Sequence, residues 1–142
     1  VSYALAFPAL AGAGALWPWL LERLGGEWEL QAVATALGEL EGRHLALGFV
    51  AAVLVQPLLE EVLFRGFLQP LLVQNLGDTG GVVATSAAFA ALHGEVAFLP
   101  IFALSLLLGA VMLRTQRVAA VWVVHGAHNA LMLAALVAAR AA

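Results

Sequence analysis

Long apolar runs dominate the chain, and polar residues break them in two ways: in clusters that mark turns, and singly inside the runs. The run over 45–76 would extend about 48 Å as one straight helix at 1.5 Å per residue. That exceeds the roughly 30 Å of hydrocarbon in a bilayer. Pro57, Gly66 and Pro70 are the points where it is expected to kink or end. "NLGDTGG" over 75–81 is a turn signal. The apolar stretch 82–92 then meets His93-Gly94-Glu95; it is short for a full span and is expected to be tilted, extended or re-entrant. Residues 96–113 read as a clear span closed by Arg114-Thr115-Gln116-Arg117. Residues 118–139 read as another, with His125, His128 and Asn129 near its middle.

Upstream, 1–21 is apolar and interrupted by Pro8 and Pro18. It lacks the basic region that opens a signal peptide and is read as a membrane segment. The opening residue is Val1, which leaves room for a preceding piece. Leu30, Val33, Leu37, Leu40 and His44 recur at spacings of three and four, a helical stripe. Glu27, Glu29, Glu39 and Glu41 lie off that stripe, so this stretch is expected to be a solvated amphipathic helix. The pattern implies an all-α fold, a polytopic transmembrane helical bundle with about five hydrophobic segments. With no internal repeat and no second domain, 1–142 reads as one membrane-embedded domain, divided into 1–44 and 45–142.

Composition sharpens this picture. Of 142 residues, 63% are hydrophobic and 11% charged, whereas soluble domains are about a quarter charged. The chain is read as a multi-pass integral membrane protein with the lipid bilayer as its surroundings. The formal charge of −3 resides in 22–44, and the remainder balances. No basic patch exists to neutralise phosphates, so nucleic acid is not an expected partner. The absence of cysteine excludes disulfides and thiolate chemistry. Arginines on alternate sides of the spans number two against three, which leaves orientation open.

Against this background the polar residues within the spans stand out. An Arg or Asp at the centre of a membrane helix costs roughly 2.5–3.5 kcal/mol, so Glu60, Glu61 and Arg65 must face protein or water. Glu61 and Arg65 are four apart with the acid first, the favoured order for a helical ion pair. Glu60 lies about 100° round the helix from Glu61 and points elsewhere, sharing its face with Gln56. Phe89 and His93 stack on one helix face, as do His125 and Asn129, with Gly126 leaving room. Three segments that each carry polar residues in mid-span are arranged most cheaply by converging. Peptide-bond hydrolysis needs a base to activate water, donors for the oxyanion and a proton for the leaving amine. A buried carboxylate, imidazoles and an amide supply all three.

The series Glu60-Glu61-x-x-x-Arg65, Phe89-x-x-x-His93 and His125-x-x-x-Asn129 resembles the CAAX protease and bacteriocin-processing family, which includes the CAAX prenyl endopeptidases. The match covers about 56–133, with the motifs in order on successive apolar segments. The resemblance implies an all-helical intramembrane endopeptidase whose catalytic core is 45–142. It implies that Glu60 and His93 activate water and that His125 and Asn129 hold the oxyanion, with Glu61 and Arg65 in support. The substrate it implies is a membrane-associated peptide, prenylated or not, and it implies no cofactor. The chain is short for a prenyl endopeptidase, which fits a bacterial relative in a prokaryotic inner membrane.

Two other readings compete. Glutamates and histidines from several helices can hold zinc in a metalloprotease, and His125-x-x-His128 imitates a ligand pair, yet neither H-E-x-x-H nor Glu-x-x-His occurs. Polar residues also glue membrane helices together, as in a non-enzymatic scaffold or immunity protein. Loss of function in Glu60→Gln separates an enzyme from a scaffold.

Overall fold

The computed structural model describes residues 16–17, 19–20, 22–23 and 40–141. The membrane segment read over 1–21 and the acidic stripe over 25–44 fall largely outside these residues. The regular structure among the described residues is helical. Helix α1 (Gly42–Val50) runs through a π-helical stretch, Ala51–Val55, into α2 (Gln56–Glu61), then through a second, Val62–Leu68, into α3 (Gln69–Ala91). Helices α4 (Phe98–Thr115) and α5 (Val118–Ala141) follow. Among the described residues, three helices are long and apolar enough to cross a membrane: Gly42–Ala91, Phe98–Thr115 and Val118–Ala138. The five expected segments are thus three qualifying helices, the first of them broken, with the segment at 1–21 outside the described residues.

Pro57 and Pro70 do not end the helix, contrary to one expectation, and the π-helical stretches explain why. Proline has no N–H, and its ring collides with the carbonyl four residues back. Widening the preceding turn relieves both problems. The N–H of Gln56 reaches back five residues to Ala51, and that of Gln69 five residues to Phe64. The same Gln-Pro pair follows each wide turn. Such turns occur mostly as single insertions in α-helices, often at functional sites, and here the two flank the carboxylate pair.

The break falls within the turn signal. Gly77 has φ 71° and ψ 172°, a conformation that favours glycine. Beyond it the chain returns alongside itself: a Cβ on Gly81 would lie 2.6 Å from the Val73 nitrogen, and the Phe89 ring meets Phe64 edge-on at 4.8 Å. These two pairs make 78–91 antiparallel to 62–73. The returning limb is about 21 Å long at 1.5 Å per residue, too short to span alone. It carries His93 back to the level of the carboxylates.

Polarity is inverted relative to a water-soluble protein. Leu59, Phe67 and Leu92 are exposed on the outside, while Glu61, Arg65, Gln69, Thr85, Ser86, Ser105 and His125 are buried. In hydrocarbon this is the favourable arrangement, because interior polar groups find partners only within the protein. Small residues bring the helices close: a Cβ on Gly109 would lie 2.8 Å from Val82 Cγ1, and one on Gly126 2.6 Å from the Val53 carbonyl oxygen. An apolar cluster of Leu104, Leu108 and Val121 joins α4 to α5. Between them, Gln116 closes α4 in the left-handed region, its N–H returning to Met112.

Candidate active site

Glu60 and Glu61 lie at the end of α2, and their helical offset sends them to different partners. Glu61 is fully buried. Its Oε1 accepts from Arg65 Nη1 at 3.2 Å and from His125 Nδ1 at 2.7 Å. Arg65 is also fully buried and reaches α4, donating Nη2 to the Ser105 hydroxyl at 2.6 Å and to the Ser105 carbonyl at 3.2 Å. Its guanidinium lies 4.7 Å from the centre of the Phe89 ring, a cation–π contact. One turn on, Gln69 Nε2 donates to the Gly109 carbonyl at 3.1 Å. Arg65 and Gln69 therefore lock onto Ser105 and Gly109, two pairs with matching four-residue spacing.

Glu60 is the more accessible acid. Its side chain is 19% exposed and that of His93 23%, against 0% for Glu61 and 5% for His125. The first pair therefore forms the reachable layer and the second lies beneath it. Gln56 Nε2 donates to Glu60 Oε1 at 2.9 Å. His93 Nε2 stands 3.9 Å from Glu60 Oε1, and His125 Nε2 stands 3.8 Å from Glu60 Oε2. Both separations exceed direct hydrogen-bond range and suit a bridging water.

Each imidazole is oriented by its other nitrogen. A carbonyl can only accept, so His93 Nδ1 donates to the Phe89 carbonyl, at 2.8 Å. The carboxylate paired with Arg65 likewise accepts from His125 Nδ1. In both rings this turns Nε2 toward Glu60. Phe89 packs between them, its centroid 4.6 Å from that of His93 and 6.0 Å from that of His125. A cavity of about 340 Å³, lined by Trp17, Ala91, Gly94, Glu95 and Phe98, opens beside the His93 segment.

The structure thus brings Glu60, His93 and His125 together, with Glu61 and Arg65 behind them. Asn129 is placed differently: its Nδ2 donates to the Ala52 carbonyl at 2.9 Å, leaving the second amide hydrogen. Ser105 and Gln69 were not among the residues singled out from sequence. A polar residue alone in an apolar helix was the available signal, but their contacts reach 40 positions along the chain. Among the described residues no group of three or more His, Asp or Glu side chains has the arrangement of a metal centre.

Fold and centre together define a multi-pass helical membrane protein with carboxylates and imidazoles gathered inside its spans. Residues 42–131 match the family described as type II CAAX prenyl endopeptidase Rce1-like, and the chain belongs to that family. The matched region contains the site from Glu60 to Asn129. No curated protein and no solved structure gives a significant match.

Proposed function

We propose that the protein is an intramembrane endopeptidase of the glutamic type, acting on a membrane-associated peptide with a prenylated CAAX-like end and requiring no metal or other cofactor. The observation that carries this reading is the approach of two imidazole Nε2 atoms, from separate helices, to the two oxygens of Glu60 at 3.9 and 3.8 Å. In the proposed reaction a water held between Glu60 and His93 gives a proton to the Glu60 carboxylate and attacks the scissile carbonyl. His125 Nε2–H and the remaining amide hydrogen of Asn129 stabilise the oxyanion. As the tetrahedral intermediate collapses, the C–N bond breaks and Glu60 passes its proton to the leaving amine. The products are a carboxylic acid, which keeps the second proton of the water, and an amine, and Glu60 is regenerated as the carboxylate.

The contacts around the pair support these roles: Arg65 offsets the buried charge of Glu61 in a medium where uncompensated charge is costly. Glu61 fixes the ring through Nδ1, and Arg65 fixes Glu61. The family's description, that of a CAAX prenyl endopeptidase, supports a membrane-associated peptide as substrate, and its prenylation is part of the proposal.

The test is incubation of the purified protein in lipid nanodiscs with farnesylated and unmodified CAAX peptides, reading products by mass spectrometry. One defined cleavage is expected, unaffected by a strong chelator and absent in Glu60→Gln. Chelator-sensitive cleavage, or full cleavage by Glu60→Gln, refutes the mechanism.

A further inference from the structure

Pro57 has no N–H, so the i→i+5 ladder of the first π-helical stretch lacks the donor that would serve the Ala52 carbonyl five residues back. The Ala52, Val53 and Leu54 carbonyls face α5. Asn129 Nδ2 donates to the Ala52 oxygen at 2.9 Å, and Trp122 Nε1 donates to the Leu54 oxygen at 2.9 Å. Gly126 lies between them in sequence, and a Cβ there would come within 2.6 Å of the Val53 oxygen. Trp122, Gly126 and Asn129 follow at spacings of four and three and so share a face of α5. One face of the last helix therefore meets three successive carbonyls of the widened turn.

We infer that Trp122 and Gly126 are positioning residues: with Asn129 they form a carbonyl clamp that holds the turn at Ala51–Val55 open and thereby sets the rotation of α2. A turn closed by i→i+5 bonds holds one residue more than one closed by i→i+4 bonds. Tightening it to α-helix would rotate everything downstream by about 100°. That is the angle separating Glu60 from Glu61, so one carboxylate would leave the centre. The missing N–H of Pro57 prevents the tightening, the absent side chain of Gly126 admits the Val53 carbonyl, and Trp122 supplies a donor from beside it. The clamp rests on the proposed hydrolysis only in that the carboxylate it aims is the proposed base.

The test has two arms, one of which needs no substrate. The chain has four tryptophans, so ¹⁵N-tryptophan labelling in lipid bilayers gives a small set of indole signals, and loss of one in Trp122→Phe assigns it. Pro57→Ala restores an N–H to the turn. It is expected to move the Trp122 indole signal upfield as the Leu54 bond breaks, and to lower peptide turnover about a hundredfold or more, as losing a positioned general base does. Its melting temperature is expected not to fall, because proline is disfavoured inside helices; a purely structural role would move stability and turnover together. Should Pro57→Ala not fold, Gly126→Ala replaces it, since its new Cβ presses on the Val53 carbonyl and should also move the signal. An unmoved indole signal, or a moved one with wild-type turnover, overturns the clamp. If the wild-type protein cleaves no peptide, the proposed function fails, and the indole arm decides the clamp alone.

Discussion

Replacing Arg65 by Met removes the only arginine among the fully buried side chains of the described residues and leaves Glu61 facing His125 alone. At their separation of 3.2 Å the two charges attract by about 5 kcal/mol with an effective dielectric constant near 20. Most of that offsets desolvation, so the net worth of the pair is modest. Breaking it from one side is another matter: a buried charge left without its partner costs about 3–5 kcal/mol. Removal of Arg65 also forfeits the Ser105 contacts and the Phe89 ring face. The expected destabilisation of Arg65→Met is therefore about 4 kcal/mol. The double replacement Glu61→Leu/Arg65→Met leaves no orphan charge and is expected to cost less than about 2 kcal/mol. Unfolding titrations in mixed detergent micelles, run on both single variants and the double variant, give the coupling energy. Turnover separates support from stability, because the double variant is expected to be folded yet slow, with His125 Nδ1 lacking its acceptor. A cost below about 1 kcal/mol for Arg65→Met, the range of a solvated surface pair, would refute the reasoning.

Other outcomes follow from individual contacts. Ser105→Ala removes a hydrogen bond to a charged group and is expected to destabilise by about 1.5–3 kcal/mol in the same titration; no change would detach α4 from the site. Asn129→Ala should lower kcat about a hundredfold or more, the effect of losing an oxyanion donor, with KM little altered; a change confined to KM would remove it from that role. Gly109→Ala drives a methyl group against Val82 and toward the Gln69 amide oxygen, 2.8 and 3.2 Å away, and should cost about 1–3 kcal/mol by thermal melting. A neutral result would mean that α3 and α4 pack more loosely than these distances require.

What could be read in advance was what rests on local spacing. Glu61 and Arg65 meet because four residues make one helical turn, and the same rule put His93 over Phe89. The turn at Gly77 was visible in its glycines and polar neighbours. Contacts between helices were not legible in the same way. That His125 binds Glu61 as well as facing Glu60, or that Ser105 receives Arg65, depends on which faces the helices turn toward one another. Pro57 and Pro70 were read as points where the helix kinks or ends because proline's local effect is to interrupt the hydrogen-bond ladder; the structure absorbs the interruption by widening two turns. Asn129 shares its face with His125 as expected, but an open carbonyl on another helix captures its amide. The spacing could place the amide near the histidine; it could not reveal that acceptor.

The central claim is that Glu60 activates water for attack on a peptide bond. It is tested most directly by the single-turnover cleavage rate of Glu60→Gln against wild type on one prenylated peptide, with peptide binding measured separately. A fall of about 10²–10⁴ in rate, typical of losing a positioned general base, with binding retained, is the expected result. Cleavage within a few-fold of wild type would contradict it.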